Sequence, residues 1–577
     1  MDQGSCIVQR DGTVLLEKNH KGFEEARSQL NAFAELIKSP EGFHTYRITS
    51  LSLWNAASAG WQPQEVTETL RRLSRFPIPD KVVNEVTLWL SRYGRLYLRE
   101  NPYDPTTLEL ISDASEDLDQ IEKITAMKKF ALRRSNANTI KFHARYRGTI
   151  KQELTRQGYP VLDEAGYHQG SMLSFALKSG EPSKPDSSFQ LRPYQRESVM
   201  AFLGEKSGLG GSGVLVLPCG AGKTIIGIAA MESLQCETLI LTSNVTSVRQ
   251  WIKELEHKTT LLNTDIGEYS GEYKQVCPVT VSTYQILTHR NSKEEAFTHM
   301  SLFNERDWGL IIYDEVHLLP APVFRATADI QATRRLGLTA TLIREDGCEK
   351  DVFSLIGPKR YEMPWRELEQ AGWIASVDCY EVRVPMSSQL QERYVHASNR
   401  EKFREASEND AKIPCVQSIL ELHAGEKTLI IGQYVNQLIL LADILQVPLI
   451  TGSTPQQERV RLYDAFRAGQ EPVLIVSKVA NFAVDLPDAK VGIQISGSFG
   501  SRQEEAQRLG RLLRPKSGEN RAYFYTLVTE GTKEQEFALR RQLFLIEQGY
   551  HYYISRGLDE LRDLDEVRVK EREVLKG

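Results

Sequence analysis

The stretch Leu217-Pro218-Cys219-Gly220-Ala221-Gly222-Lys223-Thr224 carries residue types that cradle a chain of phosphates. Backbone N–H donors must turn inward around such a ligand, and glycine is needed wherever a Cβ would collide with it. Lys223 supplies a cation for the β- and γ-phosphates, and Thr224 a hydroxyl for Mg2+. A helix starting here adds its dipole. The general spacing G-x-x-x-x-G-K-[ST] begins with glycine, where this chain has Leu217. The stretch alone therefore leaves a plain glycine turn open. Asp314-Glu315-Val316-His317 narrows the choice, because two adjacent acids at a strand end are costly unless they meet cations. Asp314 is placed to hold Mg2+ through water, and Glu315 to orient and deprotonate an attacking water. Thr339-Ala340-Thr341 and Gln507-Arg508-Leu509-Gly510-Arg511-Leu512-Leu513-Arg514 follow. Arg511 and Arg514 share one helix face. A face turned into a cleft between two domains makes them arginine fingers on a γ-phosphate; a face turned to water makes them surface residues. The apolar Leu509, Leu512 and Leu513 favour partial burial.

Such groups need strand ends and helix starts to hold them. Apolar runs at 214–217, 238–241, 279–282, 310–313 and 336–339 alternate with helical stretches. A second set begins after Ala371, with runs at 428–431, 473–476 and 491–495. Apolar strands alternating with helices indicate parallel sheets covered on both faces. The expected architecture is α/β: one such domain over 188–370 and another over 371–555. An α+β region precedes them. Residues 1–120 read as a helical, winged-helix-like domain, with helices near 51–54, 66–73 and 82–93 and a strand at 95–99. Residues 121–187 read as a basic module with a linker at 179–188. Its run Lys128, Lys129, Arg133, Arg134, Lys141, Arg145, Arg147, Lys151 and Arg156 is interleaved with Phe130, Phe142 and Tyr146. Cations that track phosphates and rings that stack on bases make it a candidate DNA-contacting segment; a solvated face with core aromatics is the other reading. Residues 556–577 form a charged tail.

Bulk properties exclude more than they assign. A net charge of −5 over 577 residues leaves any nucleic-acid footprint to local patches. The 7 cysteines show no C-x-x-C pair, so a zinc or iron–sulfur site is not expected. No apolar run approaches the ~20 residues of a membrane helix, and the start lacks a signal-peptide pattern. A soluble, cytoplasmic protein, nucleoid-associated if bacterial, is expected.

Together these elements resemble helicase superfamily two, and the stretches LPCGAGKT, YDEVHLLPAPVFR, GLTATLIREDG and GSRQEEAQRLGRLLRP resemble the XPB family. So do Ser477-Lys478-Val479, Asp485-Leu486-Pro487 and the triplet Arg344-Glu345-Asp346. RGTIKQELTRQGYPVLDEAGY resembles the bacterial members. The resemblance implies two tandem RecA-like motor domains, with a thumb-like insertion in the second, near 387–405. It implies ATP and Mg2+ as cofactors, 3′-to-5′ polarity, and translocation on or opening of DNA in repair. It places Gln195, in Leu191-Arg192-Pro193-Tyr194-Gln195, on the adenine edge. Asp485 joins the nucleotide-binding set and Gln507 the catalytic one. Nucleic-acid contacts are expected at 242–249, 283–284 and 451–454, without sequence specificity and with single- or double-stranded DNA. Two readings stay open beside the helicase: an ATP-gated DNA clamp that recruits a repair nuclease, and an RNA helicase.

Overall fold

The computed structural model describes residues 4–38, 42–178, 190–204, 210–290, 298–331, 333–340, 349–477, 489–497, 509–510, 512, 520–547, 550, 552–556 and 560. Several expected features lie outside them: the 179–188 linker, Thr341, the Arg344-Glu345-Asp346 triplet, Lys478, Asp485, Gln507, Arg511, Arg514 and nearly all of the tail. Two compact units are present, Met1–Leu217 with Gly222–Met363, and Pro364–Gly577 with Pro218–Ala221.

The first unit opens with an antiparallel sheet in the order Cys6–Val8, Thr13–Glu17, Phe43–Arg47, Glu35–Lys38. Helices Ser50–Ser58, Pro63–Leu73 and Asp80–Arg92 follow. Local chemistry sets their starts. The Thr49 side chain accepts from Ser52 N, and Pro63 takes the first position of the second helix. The strand expected after these helices, Leu96–Glu100, is not a wing. It sits inside a second sheet, between Thr107–Ser112 and Val161–Asp163, and that sheet continues to Thr139–His143 and Arg133–Asn136. Leu96, Leu98, Leu110, Ile140, Ile150 and Leu154 form its core. The expected division near residue 120 thus falls within one sheet. The physical reason is register: alternating Leu108 and Leu110 face the same core as Ile140 and Phe142.

The first parallel sheet runs Ile266–Tyr269, Val279–Thr283, Thr238–Thr242, Leu310–Asp314, Arg334–Thr339, Ser212–Val216, Lys359–Glu362. Strands Ser212–Val216, Thr238–Thr242 and Val279–Thr283 are buried at every position, as apolar strands covered by helices on both faces must be. In such a sheet ligands gather at the carboxyl ends of the strands, and those ends lead into the phosphate loop, 242–249, 283–284, Asp314 and Thr339.

In the second unit the order is Leu449–Ile450, Val473–Ser477, Thr428–Gly432, Val491–Gln494, Arg521–Thr529, Ser376–Val384, Tyr552–Arg556, again parallel. Helices Ser388–His396 and Asn399–Ser407, capped by Ser387 and Ser398, cover the polar stretch near 387–405.

A candidate nucleotide-binding site

Strand Ser212–Val216 ends at a loop in which Gly220 and Gly222 hold left-handed backbone, φ 82 and 78. A side chain at 222 would also collide, its Cβ standing 2.6 Å from Gln195 Nε2. The two expected nucleotide-binding elements, separate in sequence, thus meet. Gln195 is buried, and its Oε1 accepts from Arg192 N at 2.9 Å. Helix Lys223–Leu234 starts directly after Gly222, which has no capping side chain to compete for the first N–H groups. Thr224 is the second residue of that helix.

Lys223 Nζ lies 3.5 Å from Leu217 O and 3.9 Å from Glu315 Oε1. Asp314 ends its strand with its carboxylate inside the protein. Burial first, and then the Glu315 carboxylate, push the Asp314 carboxyl up to about 6, against the Trp251 N–H and the Lys223 ammonium, which pull it down. Glu315 occupies a left-handed conformation at φ 52, ψ 53. Its Oε2 is buried without a hydrogen-bond partner among the described residues, 3.5 Å from His317 Nδ1. That same His317 nitrogen lies 2.6 Å from Thr339 Oγ1, joining the acid motif to the Thr339-Ala340 segment.

This donor set fits a magnesium nucleotide. A Cβ at 222 would fill the glycine cradle, one ammonium lies beside the acids, and of the two adjacent carboxylates Glu315 keeps one buried oxygen without a hydrogen bond among the described residues. Gln195 meets Gly222, and Lys223 faces Asp314 and Glu315, with Thr224 next along the helix.

Curated relatives decide the family. A Mycobacterium tuberculosis protein named DNA 3'-5' helicase XPB is 49% identical over 97% of this chain and 99% of its own length. The chain belongs to the XPB family. A Kineococcus radiotolerans protein of the same name is 48% identical over 96% of this chain and 97% of its own. The Saccharomyces cerevisiae general transcription and DNA repair factor IIH helicase/translocase subunit XPB/SSL2 is 32% identical over 99% of this chain and 74% of its own. The family profile described as ERCC3/RAD25/XPB C-terminal helicase matches residues 368–576, and that of the type III restriction enzyme res subunit matches 188–344. A profile described as helicase conserved C-terminal domain matches 6–136, which here are strands and helices of the N-terminal region, not a motor sheet.

Within this XPB-family chain the basic run differs from expectation. Arg147 and Lys151 are buried against Asp163, at 2.8 and 2.7 Å. Arg134 pairs with Asp119 and Glu122, Lys141 with Glu109, and Arg156 with Asp351. Phe130 and Phe142 lie in the module's core, so they present no stacking face. Lys128, Lys129, Arg133 and Arg145 remain exposed. The cations found carboxylates that lie elsewhere in the sequence, which a count along 128–156 does not register.

Sequence reasoning missed Trp251 and Tyr284 as neighbours of Asp314. The indole N–H donates to Asp314 Oδ2 at 2.9 Å and the Tyr284 hydroxyl to Asp314 O at 2.8 Å. In the sequence Trp251 reads as an ordinary core aromatic, and Tyr284 falls in the stretch expected to meet nucleic acid. No helix among the described residues is long and apolar enough to cross a membrane.

Proposed function

We propose that the chain is an ATP-driven motor on DNA, a DNA helicase or duplex translocase of 3′-to-5′ polarity serving repair in the cytoplasm. The observation that carries this is the convergence of Lys223, Asp314 and Glu315 on a glycine cradle, in a chain 49% identical to a protein named DNA 3'-5' helicase XPB. Gly220, Gly222 and the first turn of helix Lys223–Leu234 present N–H groups to the phosphates. Lys223 neutralises charge at the β/γ end, and Gln195 reads the adenine edge. Thr224 and Asp314 hold Mg2+, which when bound offsets the charge that builds on the transferring phosphoryl group. Glu315 orients water and takes its proton. On sequence grounds Arg511 and Arg514 are the transition-state cations, with Gln507 and Asp485 beside them. Segments 242–249 and 451–454 take phosphates of either DNA form without reading bases; Thr283 and Tyr284, expected beside them, are buried.

ATP turnover without nucleic acid, with single-stranded DNA, with duplex DNA and with RNA tests the reading, run beside strand displacement on substrates of opposite polarity. Duplex DNA should stimulate most, and a 3′ tail should be needed. Preference for RNA would overturn the DNA assignment. Translocation-free, displacement-free turnover would favour the clamp that recruits a nuclease.

A further inference from the structure

Asp314 is gripped from two sides by residues that no motif names. Trp251 donates to its carboxylate and Tyr284 to its main-chain carbonyl. Trp251 belongs to helix Val245–Lys258, whose cap Asn244 lies in the 242–249 segment and accepts from Ser247 N. Tyr284 directly follows Thr283, which caps the short helix Tyr284–Leu287. Segment 242–249, which the proposed function gives to DNA, is therefore linked to the residue it gives to Mg2+ through Trp251, two residues further along the same helix.

The indole is buried against the phosphate-loop helix. A Cβ at 227, on the phosphate-loop helix, would stand 2.5 Å from Trp251 Cη2. No unusual backbone angle requires glycine at that position, and a mid-helix glycine costs about 1 kcal/mol relative to alanine. What Gly227 permits is the close approach of the ring. Trp251 thus packs on the helix that starts at Lys223 while its N–H reaches an acid 63 residues away in sequence. It joins the helix that carries the loop lysine, the strand that ends in the metal acid, and the helix that starts in segment 242–249.

We propose that Trp251 is a positioning residue for Asp314, fixing which carboxylate oxygen is left for the metal and making that setting depend on the 242–249 segment. DNA seated on the segment then acts on the ATP site through one side chain. The coupling half rests on the DNA-motor reading; the positioning half rests on the geometry alone.

The test compares wild type with Trp251→Phe and with a chain carrying 3-benzothienylalanine at 251, which keeps the bicyclic shape and replaces N–H by sulfur. Three quantities are read: the Mg2+ concentration giving half-maximal turnover, the stimulation of turnover by duplex DNA, and duplex affinity without turnover. Half-saturating Mg2+ should rise about ten-fold in both altered chains, as it does when a ligand's supporting hydrogen bond is lost. Stimulation should fall by several-fold while duplex affinity stays within about two-fold, since a hydrogen bond to a charged group is lost and no DNA contact is touched. Should Trp251→Phe fail to fold, the isosteric chain carries the comparison. Wild-type Mg2+ dependence in that chain overturns the positioning role. A shifted Mg2+ dependence with unchanged stimulation overturns the coupling. A wild type that duplex DNA does not stimulate sinks the DNA-motor reading instead, and the Mg2+ readout still decides the positioning.

Discussion

Glu315 holds a backbone conformation that L-residues avoid, with φ 52 and ψ 53. The left-handed region costs a non-glycine residue roughly 1–2 kcal/mol, and such strain is retained where surrounding structure fixes it. Here the turn brings Glu315 Oε1 to 3.9 Å from Lys223 Nζ and leaves Oε2 without a hydrogen-bond partner among the described residues. That placement suits the base role proposed for it. Glu315→Gln keeps the shape and removes the basicity, so turnover should fall at least about 100-fold while nucleotide affinity stays within a few-fold. Phosphate release and fluorescent-nucleotide binding on one preparation check it; loss of binding would assign Glu315 to ligand holding instead. The motif residues were legible because their types are unusual for their setting: glycines before a lysine, two acids after an apolar strand. Trp251 was not, because a tryptophan on the apolar face of a helix looks the same whether or not its N–H meets an acid.

At the scale of elements, the buried strands announced themselves and the edges did not. The runs at 238–241, 279–282, 428–431 and 473–476 lie in strands extending by one residue, because apolar β-branched residues have nowhere to go but the covered middle of a sheet. Edge strands Lys359–Glu362 and Tyr552–Arg556 are half-exposed and mix charge with aromatics, so they resemble loops. Also invisible was the strut of the second motor domain. Lys412 is fully buried, and its Nζ donates to Ser407 O at 3.2 Å, to Ile495 O at 2.9 Å and to both Glu534 oxygens at 2.7 and 2.8 Å. Thr529 N also donates to Glu534 Oε2, at 3.0 Å. Burial pushes the Lys412 ammonium below its usual range in spite of Glu534. Every polar atom of the pair is satisfied, and the pair binds the ends of three elements, including the strand Val491–Gln494. Breaking a buried pair costs about 3–5 kcal/mol because one charge stays uncompensated, whereas replacing both partners costs much less. Glu534→Gln alone should therefore destabilise by about 3 kcal/mol, and adding Lys412→Met should recover at least half of that. The glutamine oxygen can still accept from Thr529 N, so the comparison isolates the charges. Denaturant midpoints for the four chains of the cycle measure it; additive losses would mean that the two groups do not interact.

The first unit is held together across lengths of chain that no local pattern spans. A basic module joined to a motor by a linker reads as beads on a string, but the chain already adheres before residue 179. Ser171 N donates to Asp307 O, Leu173 N to Gln235 O and Lys178 N to Lys258 O. The module's helix Arg147–Arg156 lies against the motor, with Lys151 Nζ donating to Gln331 Oε1 at 2.8 Å, 180 residues away. Arg156 pairs with Asp351 at 3.0 Å, and Gly148 lies so close to Ala328 that a Cβ would strike its backbone. Burial would raise the Asp163 carboxyl, but Lys151 and Arg147 hold it well below the usual carboxylate range. Burial, with help from the Arg335 and Arg147 charges, pushes Lys151 down to about 8 even though Asp163 pulls it up. A lysine whose folded pKa lies below the unfolded value of about 10.4 costs stability while it is protonated. Between those values the unfolded chain binds more protons, so stability rises with pH there. The cost is full below about pH 8 and is relieved as pH climbs toward 10.4, by roughly 3 kcal/mol at about 1.4 kcal/mol per unit. Lys151→Met has no such proton to lose. The wild type should therefore gain stability relative to Lys151→Met as pH rises from about 7 to about 10, with other titrating groups cancelling in the difference. Denaturant midpoints of the two chains across that range measure the gap. Parallel curves would mean that burial does not push the Lys151 ammonium down in the folded protein.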